Sequence, residues 1–204
     1  MKDSTINKDP YIWYKDNVLS EEKCKEIIKR FDESPLTVQG VTGLGIDLTV
    51  KNSTDLQISD LGDWKDIDVL FHELISKCLQ DYYDNLNQKI VHEYFTTGEK
   101  LCIAPRQEVT DTGYQIQKTR PHQGYVWHHD YFTHRLVTFI LYLNTVEEGW
   151  TQFGNGDQIA PITGRAVMFP ATWTYVHQGY PPRQTKYIMT GWLHERADEL
   201  ENTI

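Results

Sequence analysis

The chain has 204 residues, 39% of them hydrophobic and 24% charged, the proportions of a soluble globular protein that builds a single core rather than of a disordered chain. A formal net charge of -9 argues against nucleic acid as a partner, because phosphate binding draws its affinity from clustered Lys and Arg. No apolar run approaches the roughly 20 residues that cross a bilayer, which argues against a membrane partner. The polar stretch Met1–Asp9 carries no secretory h-region, so a cytoplasmic protein is expected. Cys24, Cys78 and Cys102 are too few and too scattered for a disulfide framework or a zinc site and read as reduced structural residues.

The first predicted element runs from Ser20 to Glu33, where a serine cap and acidic Glu21 and Glu22 precede apolar Cys24, Ile27, Ile28 and Phe31 on one helical face. Gly40, Gly43 and Gly45 mark a loop, and the alternation from Ile46 to Val50 suggests a strand after it. A longer helix is expected from Trp64 to about Asn87, with Ile67, Leu70, Phe71, Leu74, Cys78 and Tyr82 on one stripe. Helices are thus expected to dominate the first part of the chain, residues 1 to about 90.

From Tyr114 onward the pattern turns to short runs: Tyr114–Lys118, Tyr125–His129, Leu136–Asn144, Arg165–Phe169 and Lys186–Leu193, separated by Gly, Pro, Asn and Asp. Such runs describe a β-sandwich, barrel or jelly roll over about residues 91–195. Helices first and strands later make an α+β fold, one domain spanning 1–204 whose N-terminal helices buttress a β core.

Within the second run, His128 and Asp130 are two residues apart, so an extended backbone points both to the same face while His129 points away. Two imidazoles and one carboxylate on one side of a metal form the facial triad of non-haem iron(II). The third ligand must come from elsewhere, and His177, about fifty residues downstream in a strand-and-turn setting, is the candidate. His72, His92, His122, His134 and His194 show no matching partners.

Six pieces in order carry a wider pattern: Tyr125-x-x-His128-x-Asp130, Arg135 to Asn144, Glu147 to Phe153, Pro161 to Phe169, His177-x-Gly179, and Lys186 to Trp192. They resemble the iron(II) and 2-oxoglutarate dioxygenases of the prolyl 4-hydroxylase type over Tyr114 to Leu193. The segment around His128 also resembles oxygenases carried by bacteriophages of marine cyanobacteria, in which case the host cytoplasm would be the place of action. The resemblance implies a double-stranded β-helix core, of the jelly-roll or cupin-like kind. It also implies Fe(II), 2-oxoglutarate and O2 as metal, co-substrate and oxidant, with ascorbate as a candidate reductant, and succinate and carbon dioxide as products.

In that family a Lys or Arg nine or ten residues after the distal histidine neutralises the distal carboxylate of 2-oxoglutarate, and Lys186 stands nine after His177. Arg183 follows Pro181-Pro182 and is placed at the rim. Alternation from Lys186 puts Ile188, Thr190 and Trp192 on the lysine's face, so Thr190 is expected to add a hydrogen bond to that carboxylate. Tyr142 occupies the family position of a co-substrate tyrosine, with a half-buried core tyrosine as the bland reading. Trp127, His129, Tyr131 and Arg135 are candidates for the substrate mouth.

The chain departs from the family's Glu-Gly-Gly run by placing Glu148 at the first glycine and Trp150 at the variable position. Halogenating relatives replace the carboxylate of the triad by a small residue, so Asp130 points to hydroxylation of an unactivated C–H bond. The expected substrate is a peptidyl proline. A free amino acid or other small molecule is the alternative, and a cupin-like metal- or ligand-binding protein without turnover is the alternative of another class.

Overall fold

The computed structural model describes residues 3–43, 45–94, 109–132 and 134–195. In chain order its elements are β1 (Trp13–Lys15), α1 (Glu21–Glu33), β2 (Val38–Gln39), β3 (Thr54–Gln57), a one-turn 3-10 helix (Gly62–Trp64) and α2 (Lys65–Tyr94). There follow β4 (Val109–Asp111), β5 (Gln115–Thr119), β6 (Tyr125–His128), β7 (Arg135–Tyr142), β8 (Thr151–Phe153), β9 (Gln158–Ile159), β10 (Ala166–Pro170), β11 (His177–Gly179) and β12 (Lys186–Glu195). One sheet has eight strands in the order β1-β10-β7-β12-β5-β3-β2, with β4 paired to β12, and the other has four in the order β6-β11-β8-β9.

The predicted N-terminal helix forms as its sequence dictates: Ser20 Oγ accepts from the Lys23 amide at 3.2 Å, and Glu21 and Glu22 sit at the positive end of the helix dipole. Its buried face, Cys24, Ile27 and Phe31, joins Ile67, Phe71, Ile75, Cys78 and Tyr82 of α2 in a core against the outer face of the large sheet. Strand β7 shows why that face is dry: Phe139 and Leu141 point outward to the helices, while Thr138, Ile140 and Tyr142 point inward between the sheets. Gly191 on β12 permits the close layer, since a Cβ there would lie 2.5 Å from the Phe139 ring and 2.6 Å from the Gly113 carbonyl oxygen.

The fold is mostly β-sheet with few helices, and it corrects the division into a helical first part and a β second part. Strands β1, β2 and β3 belong to the large sheet, one at one edge and two at the other. Strand β1 is three residues that begin within the aromatic-rich stretch Tyr11–Tyr14, and it pairs Trp13 with Met168, a long-range contact without a local alternation to announce it. Residues 46–50 are not a strand. Asp47 accepts from the Thr49 amide at 2.9 Å and its carbonyl from Val50 and Lys51, an Asx-type turn that outcompetes the ladder and leaves Ile46 and Leu48 exposed. Cys24 and Cys78 are buried free thiols, and Cys102 lies outside the described residues.

The N-terminal segment is strapped across the sandwich by Arg165, whose side chain is fully buried. Its Nε and NH2 donate to Asp16 and to Asp3, and its NH1 donates to Thr5 at 2.6 Å and to the Ala160 carbonyl at 3.2 Å. Between these anchor points Ile12 enters a second core between the sheets with Ile140, Tyr142, Phe153, Ile159, Val167 and Phe169. Among the described residues no helix is long and apolar enough to cross a membrane.

Candidate metal and co-substrate site

Strands β6 and β11 are antiparallel neighbours with His128 opposite His177, so the sheet register alone brings the two imidazoles together. Asp130 lies two residues beyond β6, and its carboxylate oxygens reach within 3.7 Å of His128 Nε2 and 3.6 Å of His177 Nε2. The three donor atoms lie within 4.8 Å of one another, the one such His, Cys, Asp or Glu group among the described residues. Each ring is oriented by its other nitrogen: His128 Nδ1 donates to the Val126 carbonyl at 2.7 Å and His177 Nδ1 to the Tyr175 carbonyl at 3.0 Å. Both Nε2 lone pairs are thereby turned toward the carboxylate, the tautomer a metal requires.

Packing and charge hold this arrangement. The Tyr125 ring stacks on His128 at 3.4 Å and 12°, and Phe153 and Phe169 lie against His177. Burial, and then the neighbouring His177 ring, draw the His128 pKa down to about 4, so the ring is neutral near pH 7. Burial alone would raise the Asp130 carboxyl, but the two imidazoles and the 2.8 Å bond from Thr138 Oγ1 outweigh it and hold it below the ordinary carboxylate range. An ionised carboxylate and two imidazoles that turn their Nε2 atoms to the same point make a donor set that suits iron(II).

Deeper between the sheets the same cavity is lined by Tyr142, Thr151, Lys186, Ile188, Thr190 and Trp192. Lys186 is buried, donates to the Gly149 carbonyl at 2.7 Å and pairs with no carboxylate among the described residues. Burial pushes its pKa down to about 8. A buried ammonium with no carboxylate beside it among the described residues is stabilised by an anion that reaches it. The Tyr142 and Thr151 hydroxyls share one hydrogen bond of 2.6 Å, which leaves one of their two protons for the Ile159 carbonyl or a ligand. Burial raises the Tyr142 phenol to about 12, so it stays a donor at neutral pH.

If Lys186 takes the distal carboxylate of 2-oxoglutarate, as the resemblance implies, the pH dependence of binding follows. A dicarboxylate stabilises the ammonium, so its pKa rises from about 8 on binding and the complex takes up a proton wherever free Lys186 is neutral. Calorimetry in two buffers of different ionisation heat should show proton uptake and weakening affinity at about pH 9 and neither at about pH 6.5. Equal proton balance at both would remove Lys186 from the carboxylate.

The expected residues separate into those brought together and those not. His128, Asp130, His177, Lys186, Tyr142 and Thr190 line one cavity. Thr190 is corrected in its role: its hydroxyl donates to the Phe139 carbonyl at 2.8 Å, so it has no proton for a carboxylate. Trp127 and Tyr131 are exposed beside the site, and Arg135 lies half-buried with its guanidinium 3.7 Å over the Trp192 ring. Arg183 stands at the rim and pairs with Glu148. His72 does have a partner, Asp111 at 2.8 Å, far from the cavity lining.

Thr138, Thr151 and the buried pair Lys51–Asp55 were not anticipated. Lys51 Nζ lies 2.6 Å from Asp55 Oδ2, Ser53 donates to the other oxygen at 2.7 Å, and Lys51 and Ser53 line the cavity. The alternation that places Tyr142 inward also places Thr138 inward, so that one was readable; nothing local marks Lys51.

Residues 114–194 match the family described as the 2OG-Fe(II) oxygenase superfamily. No curated protein matches the sequence. Among solved structures, similarity extends to a viral collagen prolyl hydroxylase of Paramecium Bursaria Chlorella virus-1 in its 2OG complex, at 22% identity and a TM-score of 0.61, covering 91% of this chain and 97% of that one. A Trichoplax adhaerens prolyl hydroxylase in complex with a hypoxia inducible factor peptide fragment has 17% identity and a TM-score of 0.68, with 91% and 84% covered. A Pseudomonas putida prolyl-4-hydroxylase has 16% identity and a TM-score of 0.65, with 91% and 93% covered. At these identities the likeness is one of fold.

Proposed function

Residues 114–194 form a 2OG-Fe(II) oxygenase domain, and we propose that this 2-oxoglutarate-dependent dioxygenase hydroxylates a prolyl residue within a peptide. Iron(II), 2-oxoglutarate and dioxygen together supply the oxidising power that places oxygen on an unactivated C–H bond, with succinate and carbon dioxide released. The protein's own share falls to named residues. His128, Asp130 and His177 would hold the metal, with Thr138 fixing the carboxylate and the Val126 and Tyr175 carbonyls fixing the rings. Lys186 would neutralise the distal carboxylate of the co-substrate, with the Tyr142–Thr151 hydroxyl pair beside it. Phe153 and Phe169 would keep water from the back of the site.

The observation that carries the peptide reading is the mouth. The pairing of Val137 with Pro170 sets the loop after β10 beside the loop that follows Asp130, and Tyr131, Phe132 and Trp173 are exposed there at 57%, 63% and 66%. Exposed aromatic surfaces of this kind suit an extended proline-bearing segment. A carboxylate is the favoured partner for the ammonium of a free amino acid, and among the described residues the one acidic side chain lining the cavity is Asp130, already committed to the imidazoles. The structural likeness to a prolyl hydroxylase that holds a peptide supports the same reading. Arg135, with its Nε buried and unpartnered, would supply a donor for a peptide carbonyl.

The enzyme, given Fe(II), 2-oxoglutarate and oxygen, should add one oxygen to proline-containing peptides and leave free proline unchanged, as read by mass. Oxygen added to free amino acids with every such peptide untouched would assign the small-molecule substrate instead.

A further inference from the structure

The departure of Glu148 from the glycine of related sequences has a structural counterpart. Glu148 has a φ of 62° and Gly149 a φ of 71°, two successive left-handed residues, the first of which carries a Cβ that disfavours the conformation. The backbone is nonetheless held there from the opposite loop. Arg183 donates to Glu148 Oε1 through Nε at 2.9 Å and through NH2 at 2.8 Å. Glu148 bridges to Pro182, the Arg183 amide donates to the Glu147 carbonyl at 3.1 Å, and the Glu147 amide donates to Gln184 Oε1 at 2.8 Å.

What this turn aims is the next carbonyl. Gly149 O is the sole protein acceptor of Lys186 Nζ among the described residues, at 2.7 Å. A Cβ on Gly149 would lie 2.9 Å from Pro182 Cβ and 3.4 Å from Lys186 Cδ, so the two loops and the lysine stem are packed without slack. Arg183 is also three residues before Lys186, so one ion pair ties together the segment that carries the ammonium and the segment that orients it.

We propose that Glu148 and Arg183 form a latch across the co-substrate end of the cavity that sets where the Lys186 ammonium stands, and so which length of 2-oxo dicarboxylate the enzyme accepts. Both are positioning residues; neither lines the cavity. The inference rests on the reading that Lys186 takes the distal carboxylate. With the latch intact the ammonium is fixed at one depth and five carbons are preferred over six. With it broken, Glu148 relaxes from its left-handed state, the Gly149 carbonyl that follows swings off Nζ and the lysine head is free to meet either acid.

The test is binding rather than turnover. The iron(II)-loaded protein without oxygen is titrated calorimetrically with 2-oxoglutarate and with 2-oxoadipate. Arg183→Ala and Glu148→Gln should each weaken 2-oxoglutarate about five-fold, the scale of one partly exposed ion pair backed by backbone relaxation, and narrow its preference over 2-oxoadipate. The exchanged pair Glu148→Arg with Arg183→Glu should restore both values to within about two-fold. Lys186→Ala should lose 2-oxoglutarate affinity by more than about 100-fold. Single variants that keep both the affinity and the preference, or an exchanged pair that rescues neither, would overturn the latch while Lys186→Ala still loses binding. Retained binding in Lys186→Ala would overturn the carboxylate reading itself. Because the Arg183 side chain is 61% exposed, its removal does not threaten folding.

Discussion

Asp130→Ala should lose more than about 100-fold in iron(II) affinity and bring turnover to background. Asp130 supplies the single negative charge of the donor set; the His128 and His177 ring centroids are 4.3 Å apart, and its carboxylate oxygens lie 3.7 Å and 3.6 Å from their Nε2 atoms. Without it the two imidazoles remain oriented by the Val126 and Tyr175 carbonyls, so the loss is one of charge and coordination rather than of ring placement. Thr138→Val provides the graded comparison. It keeps the shape of the side chain, removes the 2.8 Å bond to Asp130 Oδ2, and should weaken the metal by about ten-fold. Anaerobic metal titration of wild type and both variants checks the order. Equal affinity in wild type and Asp130→Ala would exclude this carboxylate as a ligand.

The second large effect is on stability and lies far from the cavity. Replacing both Asp3 and Asp16 by Asn should cost about 1–3 kcal/mol, because it removes the counter-charge of a buried guanidinium while solvent screens the half-exposed carboxylate side of the pairs. The asymmetry of the cluster decides which partner matters: the Arg165 side chain is 0% exposed, whereas Asp3 and Asp16 are each 43% exposed. Arg165→Met removes the buried charge and lets both carboxylates relax into water, so it should cost less than the double carboxylate change. Urea unfolding of the three proteins measures this order, and the reverse order would show that packing rather than charge holds the strap.

Acid should act on the same cluster with a definite sign. The Arg165 guanidinium holds the Asp3 carboxyl down at about 2 against an ordinary 3.8. Its stabilisation is therefore complete above pH 3.8 and is lost as pH falls toward 2. The strap matters to the site because Ile12, held between its anchor points, packs with Tyr142, Phe153 and Phe169 behind the cavity.

Much of the site was legible because its chemistry is written in local periodicity. The two-residue spacing of His128 and Asp130 puts both on one face, and the alternation along β12 puts Lys186, Thr190 and Trp192 together, as the cavity lining shows. The pairing of His128 with His177 is instead a matter of register between β6 and β11, which a single chain reveals only through resemblance to other sequences. Thr190 was misjudged because its face was readable but its acceptor was not: the Phe139 carbonyl lies on a neighbouring strand.

The N-terminal part was misread for the same reason. Its two helices announce themselves through stripes and a cap, while β1, β2 and β3 are two to four residues long and exist only by pairing across the sheet. The apparent alternation from Ile46 to Val50 lost to the Asp47 turn, a side-chain hydrogen bond that hydrophobic periodicity does not weigh. Lys51 and Ser53 reach the cavity from beside that misread region, which is why no reading of the later strands found them.

The assignment of iron, co-substrate and their residues meets its most direct test in one spectrum. Iron(II) and 2-oxoglutarate are added together to the protein without oxygen, and the visible metal-to-ligand charge-transfer band of a chelated 2-oxo acid is recorded for wild type, Asp130→Ala and Lys186→Ala. The predicted result is a band in wild type that Asp130→Ala lacks and that Lys186→Ala reaches only at far higher 2-oxoglutarate. A band of the same strength, at the same concentrations, in all three proteins would contradict it.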